Sequence, residues 1–334
     1  MLKSFLIPAL CASCLLLSWQ ITGFPCESGR SGSAQYAPAP AHDIQLDRSY
    51  LTVSGPDTGV PAGLQPSLLE EMDFPESWLA DRVSSLQNSD YMDSERDVLV
   101  AILDTGIDSG HEDLIGSVID AINLTDSSEI GDIHGHGTHI AGIISAGADN
   151  GLGIDGVAPD CLLLNVKVAD DKGRCRASVL AEGIRWAVDR GADVINISIE
   201  IKEYSPLLEQ AVDYAWDQGV TVIAAAGNDG SDIAVYPAGL DNCIGVTGLQ
   251  DGSDLAPLAN YGDWVEIAAP GYRVYSTLPG DEYGYKYGTS FAAAYASGLA
   301  ARLSAVVEDS NNNGHINDEI RAGLLSLCGF KSES

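Results

Sequence analysis

The chain has 334 residues and is 45% hydrophobic, enough for one sizeable domain of roughly 200–250 residues plus extensions. Seventeen Lys and Arg stand against 48 Asp and Glu, a formal net charge of −31. Such a surface repels nucleic acid and anionic membrane, so nucleic acid is set aside as a partner; it suits solubility, cation binding or a saline medium.

Met1-Leu-Lys3 is a short basic start, Phe5 to Trp19 is almost wholly apolar, and polar residues follow from Gln20. This pattern reads as a secretory signal peptide over residues 1–23, with cleavage falling between Ser18 and Ala34. The run is too short and too early to span a bilayer, and no later segment is long and apolar enough, so the mature chain is expected to be extracellular without a membrane span. Ala12-Ser13-Cys14 faintly resembles a lipoprotein processing site, but Cys11 stands where leucine is usual and apolar sequence continues past Cys14.

Residues 24–89 read as a linker and possible degenerate pro-segment. Ser28-Gly-Arg-Ser-Gly-Ser-Ala and Ala37-Pro-Ala-Pro lack periodicity. From Pro66 to Gln87 the pattern is more helical, with Trp78, Leu79 and Val83 spaced to share a face that can pack on the main domain.

A globular part is expected over 90–328, with a short tail at 329–334. Val98-Leu-Val-Ala-Ile-Leu103 is a continuous apolar run, the pattern of a strand covered on both faces of a parallel sheet. Similar runs recur at Cys161–Val168, Asp193–Ile199 and Val220–Ala226. Helical patterns fall between them at His139–Ala146, Ala177–Arg190 and Pro206–Gln218, and later at Phe291–Leu303 and Asp318–Cys328. Alternation of this kind predicts an α/β domain with a largely parallel central sheet covered on both sides.

Five cysteines lie beyond the signal: Cys26, Cys161, Cys175, Cys243 and Cys328. Export permits disulfides, and Cys161 and Cys175 are close enough in sequence to close a small loop. No CxxC pair survives maturation to hold zinc.

Four residues at element ends carry chemistry. Asp104 follows the first buried strand, at the edge where open α/β sheets bind ligands. His136 lies in Gly135-His136-Gly137-Thr138-His139-Ile140-Ala141-Gly142, with small neighbours that let another backbone approach; His139 falls within the helix, and His134 is a weaker base candidate. Asn228 follows a buried strand in Gly227-Asn228-Asp229, where its amide can donate to an oxyanion. Ser290 stands in Tyr287-Gly-Thr-Ser290-Phe-Ala-Ala-Ala294, a small-residue turn at the mouth of a helix, where N–H groups and the macrodipole favour negative charge.

In this order, together with Gly156-Val-Ala-Pro159, the four motifs resemble those of the subtilisin-like serine proteases, or subtilases. The resemblance covers roughly 90–328 and implies a subtilisin-like three-layer α/β/α domain with a mostly parallel sheet. It implies a secreted serine endopeptidase, monomeric, acting on peptides or proteins through an acyl-enzyme and needing no organic cofactor. Ser290 would be the nucleophile, His136 the general base, Asp104 the group that holds the imidazole, and Asn228 an oxyanion donor. Ser198, Ile199 and Glu200 would form the strand that pairs with extended substrate, with Ala226 and Gly227 opposite. Asp113 and Asn150 match positions of the family's structural calcium site. A second loop, Asp309-Ser-Asn311-Asn-Asn313-Gly314-His-Ile-Asn317, mimics the first nine positions of an EF-hand. Ile320 occupies the position of its bidentate Glu, so a capped turn is expected there.

The chain departs from the family pattern in three ways. Ala294 replaces a common Pro; Glu200 replaces a common Gly and can narrow the substrate slot or favour a basic side chain; and residues 27–90 are a poor copy of a folded pro-segment. A dedicated processing or peptide-ligating subtilase, and a catalytically silent peptide binder on the same fold, are the alternative readings.

Overall fold

The computed structural model describes residues 51–52, 78–83, 97–252 and 254–330. The signal peptide, most of the linker and residues 331–334 lie outside the described residues.

The central sheet is built from β2 (Leu99–Asp104), β3 (Val118–Asn123), β4 (Leu162–Lys167), β6 (Val194–Ile197), β7 (Thr221–Ala225), β8 (Ile244–Asp251) and β10 (Ile267–Pro270). Two-residue strands complete the early part of the strand set: β1 (Leu51–Thr52) pairs with β5 (Arg174–Cys175), and β9 (Asp254–Leu255) adds antiparallel to β8. The order is β10-β8-β7-β6-β2-β4-β3, every neighbouring pair parallel. Alternation at period two sends Val100 and Ile102 of β2 into one core and Ala101 and Leu103 into the other, so the strand must be apolar on both faces.

Helices cover both faces. On one side lie α2 (His136–Ser145), α5 (Thr289–Ser304) and α6 (Asn317–Cys328), which contribute Ile140, Phe291, Leu299 and Leu324. On the other lie α3 (Ala177–Asp189) and α4 (Pro206–Asp217), which contribute Leu180, Ile184, Leu208 and Val212. The result is the expected three-layer α/β/α arrangement. Helix α4 starts where its sequence says it should: Ser205 Oγ accepts a hydrogen bond from Leu208 N at 3.4 Å, and Pro206 occupies the first turn. Helix α5 is apolar all round, and only Arg302 of its sixteen residues escapes burial. A helix with that pattern belongs in the interior.

The short helix α1 over residues 78–83 packs as its pattern predicts. Trp78 is 3% exposed and meets Tyr295 of α5 edge-on, ring centroids 6.1 Å apart. The Arg82 guanidinium lies 4.0 Å over the same indole.

Two expectations need correction. Cys161 and Cys175 do not pair: all four described cysteines are free and buried. Cys161 belongs to the core on one face of the sheet and Cys175 to the core on the other, so the sheet itself separates them. Burial pushes both thiols up to about 12, which keeps them protonated. The second concerns helix starts. His136 and Ser290 are not in turns ahead of α2 and α5 but in their first turns. Gly135 (φ 84°) and Gly288 (φ 141°) make the sharp entry alone, so the next residue is already helical.

Strands β3, β8 and β10 and the hairpin of β11 (Val274–Leu278) with β12 (Glu282–Lys286) carry weaker patterns. Strand β3 is a half-buried edge containing Asp120, and β8 contains Gly245 and Gly248. After α6, Gly329 bridges to Ile267, and Phe330 N donates to Glu266 O at 2.8 Å.

Candidate active site

The first component is the carboxyl end of β2. Asp104 is fully buried, and its Oδ1 accepts from Thr105 N at 2.7 Å and from His136 Nδ1 at 2.8 Å. A carboxylate at Nδ1 fixes the proton there and leaves Nε2 as the acceptor. The His136 ring lies 5.5 Å from that of Phe291, the residue after Ser290. Carboxylate, imidazole and hydroxyl thus come from β2, α2 and α5, three elements separated widely in sequence.

Glycine and two buried polar residues bring α2 against β2. A Cβ on Gly137 would overlap the Gly106 carbonyl and stand 3.1 Å from Asp104 Cβ, so only Gly permits the approach. Thr105 Oγ1 accepts from Gly137 N at 3.1 Å and donates to Asp132 Oδ1 at 2.8 Å. Asp132 then accepts from Gly135 N, Thr138 N and Thr138 Oγ1, each at 2.8 Å. Asp132 therefore caps α2 from outside the helix, where a negative charge also meets the positive dipole end. Lys167, fully buried at the end of β4, donates to Thr105 O and pairs with Asp171 at 2.9 Å. Neither residue was singled out by sequence reasoning. The available signals were an Asp three residues before Gly135 and a lone cation in the apolar run 161–168.

Ser290 is 2% exposed, and its Oγ donates to Ser198 O at 3.5 Å. Ser198 Oγ in turn donates to Ser290 O at 3.1 Å and accepts from Asn196 Nδ2 at 3.1 Å. The segment after β6 is therefore latched to the first turn of α5. The segment after β7 is latched to the same turn: Gly227 N donates to Thr289 Oγ1 at 2.9 Å, and Thr289 N donates to Asn228 Oδ1 at 3.0 Å. Holding Oδ1 in this way orients the carboxamide with Nδ2 on the Gly288 side, 3.2 Å from where a Cβ on Gly288 would stand. Asn260, also missed, fixes this loop; it donates to Ala226 O at 2.8 Å and accepts from Asp229 N at 2.9 Å and Ser231 N at 3.0 Å.

Ser198, Ile199 and Glu200 on one side and Ala226 and Gly227 on the other thus flank Ser290, and all are buried. Glu200 reaches across: a Cβ on Gly227 would overlap its Oε2. Burial pushes the Glu200 carboxyl up, Asp229 adds to the effect, and Lys202 and the Asn228 N–H oppose it.

The other histidines play different parts. His139 is fully buried, and its Nε2 donates to Gly284 O at 3.1 Å with its ring 4.7 Å from Phe291. Burial pushes its pKa down to about 3, so it is a neutral packing group. His134 lies 6.3 Å from His136, ring centroid to ring centroid.

The two residues matched to a calcium site also meet. Asn150 Nδ2 donates to Asp113 Oδ1 at 2.7 Å, and Ile154 N and Tyr283 Oη contact Oδ2 at 3.4 and 3.3 Å. The absent side chain of Gly147 makes the room: a Cβ there would stand 2.8 Å from Asn150 Nδ2 and 3.7 Å from Asp113 Oδ1. A buried carboxylate and a carboxamide in a glycine cradle fit a hard cation in chemistry, provided Asn150 turns Oδ1 in place of Nδ2. The loop at 309–317 satisfies itself instead. Asp309 accepts from Asn313 N and Gly314 N, while Ile320 is 1% exposed in the core.

Fold and site together define a class: a doubly covered parallel α/β protein with acid, imidazole and hydroxyl gathered at one sheet edge. Within that class the chain belongs to the subtilase family, whose model it matches over residues 95–325. It is 42% identical over 187 residues to a thermophilic serine proteinase of Bacillus sp. (strain AK1), covering 56% of this chain and 47% of the relative. It is 41% identical over 185 residues to thermitase of Thermoactinomyces vulgaris, covering 55% and 66%. Subtilisin BL of Lederbergia lenta is 42% identical over 187 residues, covering 56% and 68%. The match thus spans between about half and two-thirds of the length of these relatives.

Proposed function

We propose that this chain is a secreted serine endopeptidase that cleaves peptide bonds through an acyl-enzyme, with its peptidase domain over 90–328. The observation that carries the reading is the buried Asp104–His136 pair, 2.8 Å long, with the His136 ring 5.5 Å from that of Phe291, the residue after Ser290 in the first turn of α5. The names of the relatives support it.

In this reading Ser290 Oγ attacks the scissile carbonyl while His136 Nε2 takes its proton. Asp104 keeps the Nδ1 proton in place and stabilises the imidazolium. The tetrahedral oxyanion is met by Asn228 Nδ2 and the Ser290 N–H, the latter aligned with the positive end of α5. His136 then returns the proton to the leaving amine, and water repeats the sequence on the acyl-enzyme. Segments 198–200 and 226–227 hold an extended substrate by backbone pairing. Calcium, when bound by Asp113 and Asn150, would stiffen the loop at 147–154 and takes no part in these steps.

A fluorophosphonate probe tests the reading. Folded wild type is expected to label at Ser290, and Ser290→Ala and His136→Ala are expected not to. Folded wild type that stays unlabelled points instead to a silent peptide binder. Glu200 in the slot favours selective processing over general degradation, and digestion of casein against single-motif peptides separates the two. N-terminal sequencing of exported protein tests the signal peptide.

A further inference from the structure

We propose that Glu200 makes the slot beside Ser290 selective for a cationic side chain, Lys or Arg, on the residue whose carbonyl is attacked (P1). This rests on the peptidase reading above.

Position is the first argument. Glu200 lies two residues after Ser198, whose carbonyl contacts Ser290 Oγ, and faces Gly227, one residue before Asn228. Its side chain therefore crosses the gap between the two segments that flank the nucleophile. The second is hydrogen bonding. The Asn228 N–H holds the carboxylate, yet Oε2 is buried with no hydrogen-bond partner among the described residues. Glu200 as a whole is only 9% exposed. A desolvated carboxylate oxygen without a donor is costly, and a cation supplies both a donor and the opposite charge.

The third is local charge. Asp229 adds a second carboxylate beside Glu200, and the nearby Lys202 ammonium is committed to Asp229 at 2.7 Å. Two anions against one engaged cation leave the slot negative. An apolar P1 group would leave the already buried Oε2 without a partner. Size acts in the same direction, because Glu200 Oε2 stands where a Cβ on Gly227 would, so the side chain fills the gap between the two segments. Gly227 brings no side chain to the slot, and its φ of 92° disfavours any residue that would.

The test compares wild type with Glu200→Gln, which keeps the size and removes the charge, and Glu200→Gly, which removes both. All three are first titrated with the fluorophosphonate; no labelling of folded protein would sink the peptidase reading itself. Labelled enzymes are then assayed on one peptide series with Arg, Lys, Ala, Leu or Phe at P1. Wild type should favour Arg and Lys over Phe in kcat/KM by about tenfold or more, the worth of one charge-assisted bond. Glu200→Gln should lose that preference, its Arg-to-Phe ratio falling toward one, and Glu200→Gly should gain on Phe and Leu. Wild type that prefers Phe or Leu overturns the proposal. So does a labelled Glu200→Gln whose Arg-to-Phe ratio is unchanged, since size alone would then set the selectivity.

Discussion

Two side chains near the serine illustrate how the surroundings assign roles to like residues. His136 has a carboxylate on Nδ1 and sits at the sheet edge; His139, one turn on, is sealed beneath Phe291 and donates to a carbonyl. Burial holds the His139 pKa at about 3, below its unfolded value near 6.5. A base with a depressed folded pKa contributes stability that is complete above pH 6.5 and is lost as pH falls toward 3, because the unfolded chain takes the proton first. His139→Gln should therefore lower the melting temperature at pH 8, through lost packing, yet flatten its fall between pH 6.5 and 4. Melting curves across that range measure this, and a parallel fall in both proteins would contradict it. At Asn228 the effect is on rate. If Asn228 meets the oxyanion as proposed, Asn228→Ala should reduce kcat by roughly 100- to 1,000-fold with little change in KM, because such a donor acts on charge that develops only in the transition state. Asp104, His136, Asn228 and Ser290 were legible in sequence because each stands in a small-residue motif at an element end. Asp132 and Asn260 were not, because their work is to satisfy backbone N–H groups of distant segments, and such partners exist only in the folded chain.

At the scale of elements, the site depends on how closely α2 can lie against the end of β2. Gly137 is the contact point, where any Cβ would overlap a backbone carbonyl that has no rotamer to yield. Gly137→Ala should push the first turn of α2 away, stretch the Asp104–His136 bond and break the Thr105–Gly137 contact. A loss of about 1–3 kcal/mol in stability is expected for such overpacking, together with a fall in kcat. Denaturant unfolding and single-turnover kinetics read the two effects, and unchanged values in both would show that the helix has room. The buried strands β2, β4, β6 and β7 were readable from apolar runs, as were the helices between them. Strands β3, β8 and β10 were not, because an edge position or glycine content weakens the pattern that burial otherwise writes. The helix starts were misread for a related reason: a single glycine of positive φ does the work of a whole turn.

At the scale of the whole molecule, a formal charge of −31 on 334 residues sets a repulsion that folding must overcome. Screening should relieve it. Raising salt from about 0.01 M to about 1 M shortens the Debye length from about 30 Å to about 3 Å, so the melting temperature should rise over that range. Calcium held by Asp113 and Asn150, as proposed above, would act differently, at one place and at millimolar concentration, by binding the folded state alone. Asp113→Asn separates the two effects, since it keeps the size of the side chain while removing a single charge from the cradle at Gly147. In wild type, a few millimolar calcium at constant ionic strength should raise the melting temperature by several degrees, on the scale of about 2–4 °C per kcal/mol for a domain this large. In Asp113→Asn the calcium increment should vanish while the salt increment persists. Equal calcium increments in the two proteins would place the ion elsewhere on the acidic surface, and loss of both would mean that Asp113 supports the fold through Asn150 and Tyr283 alone.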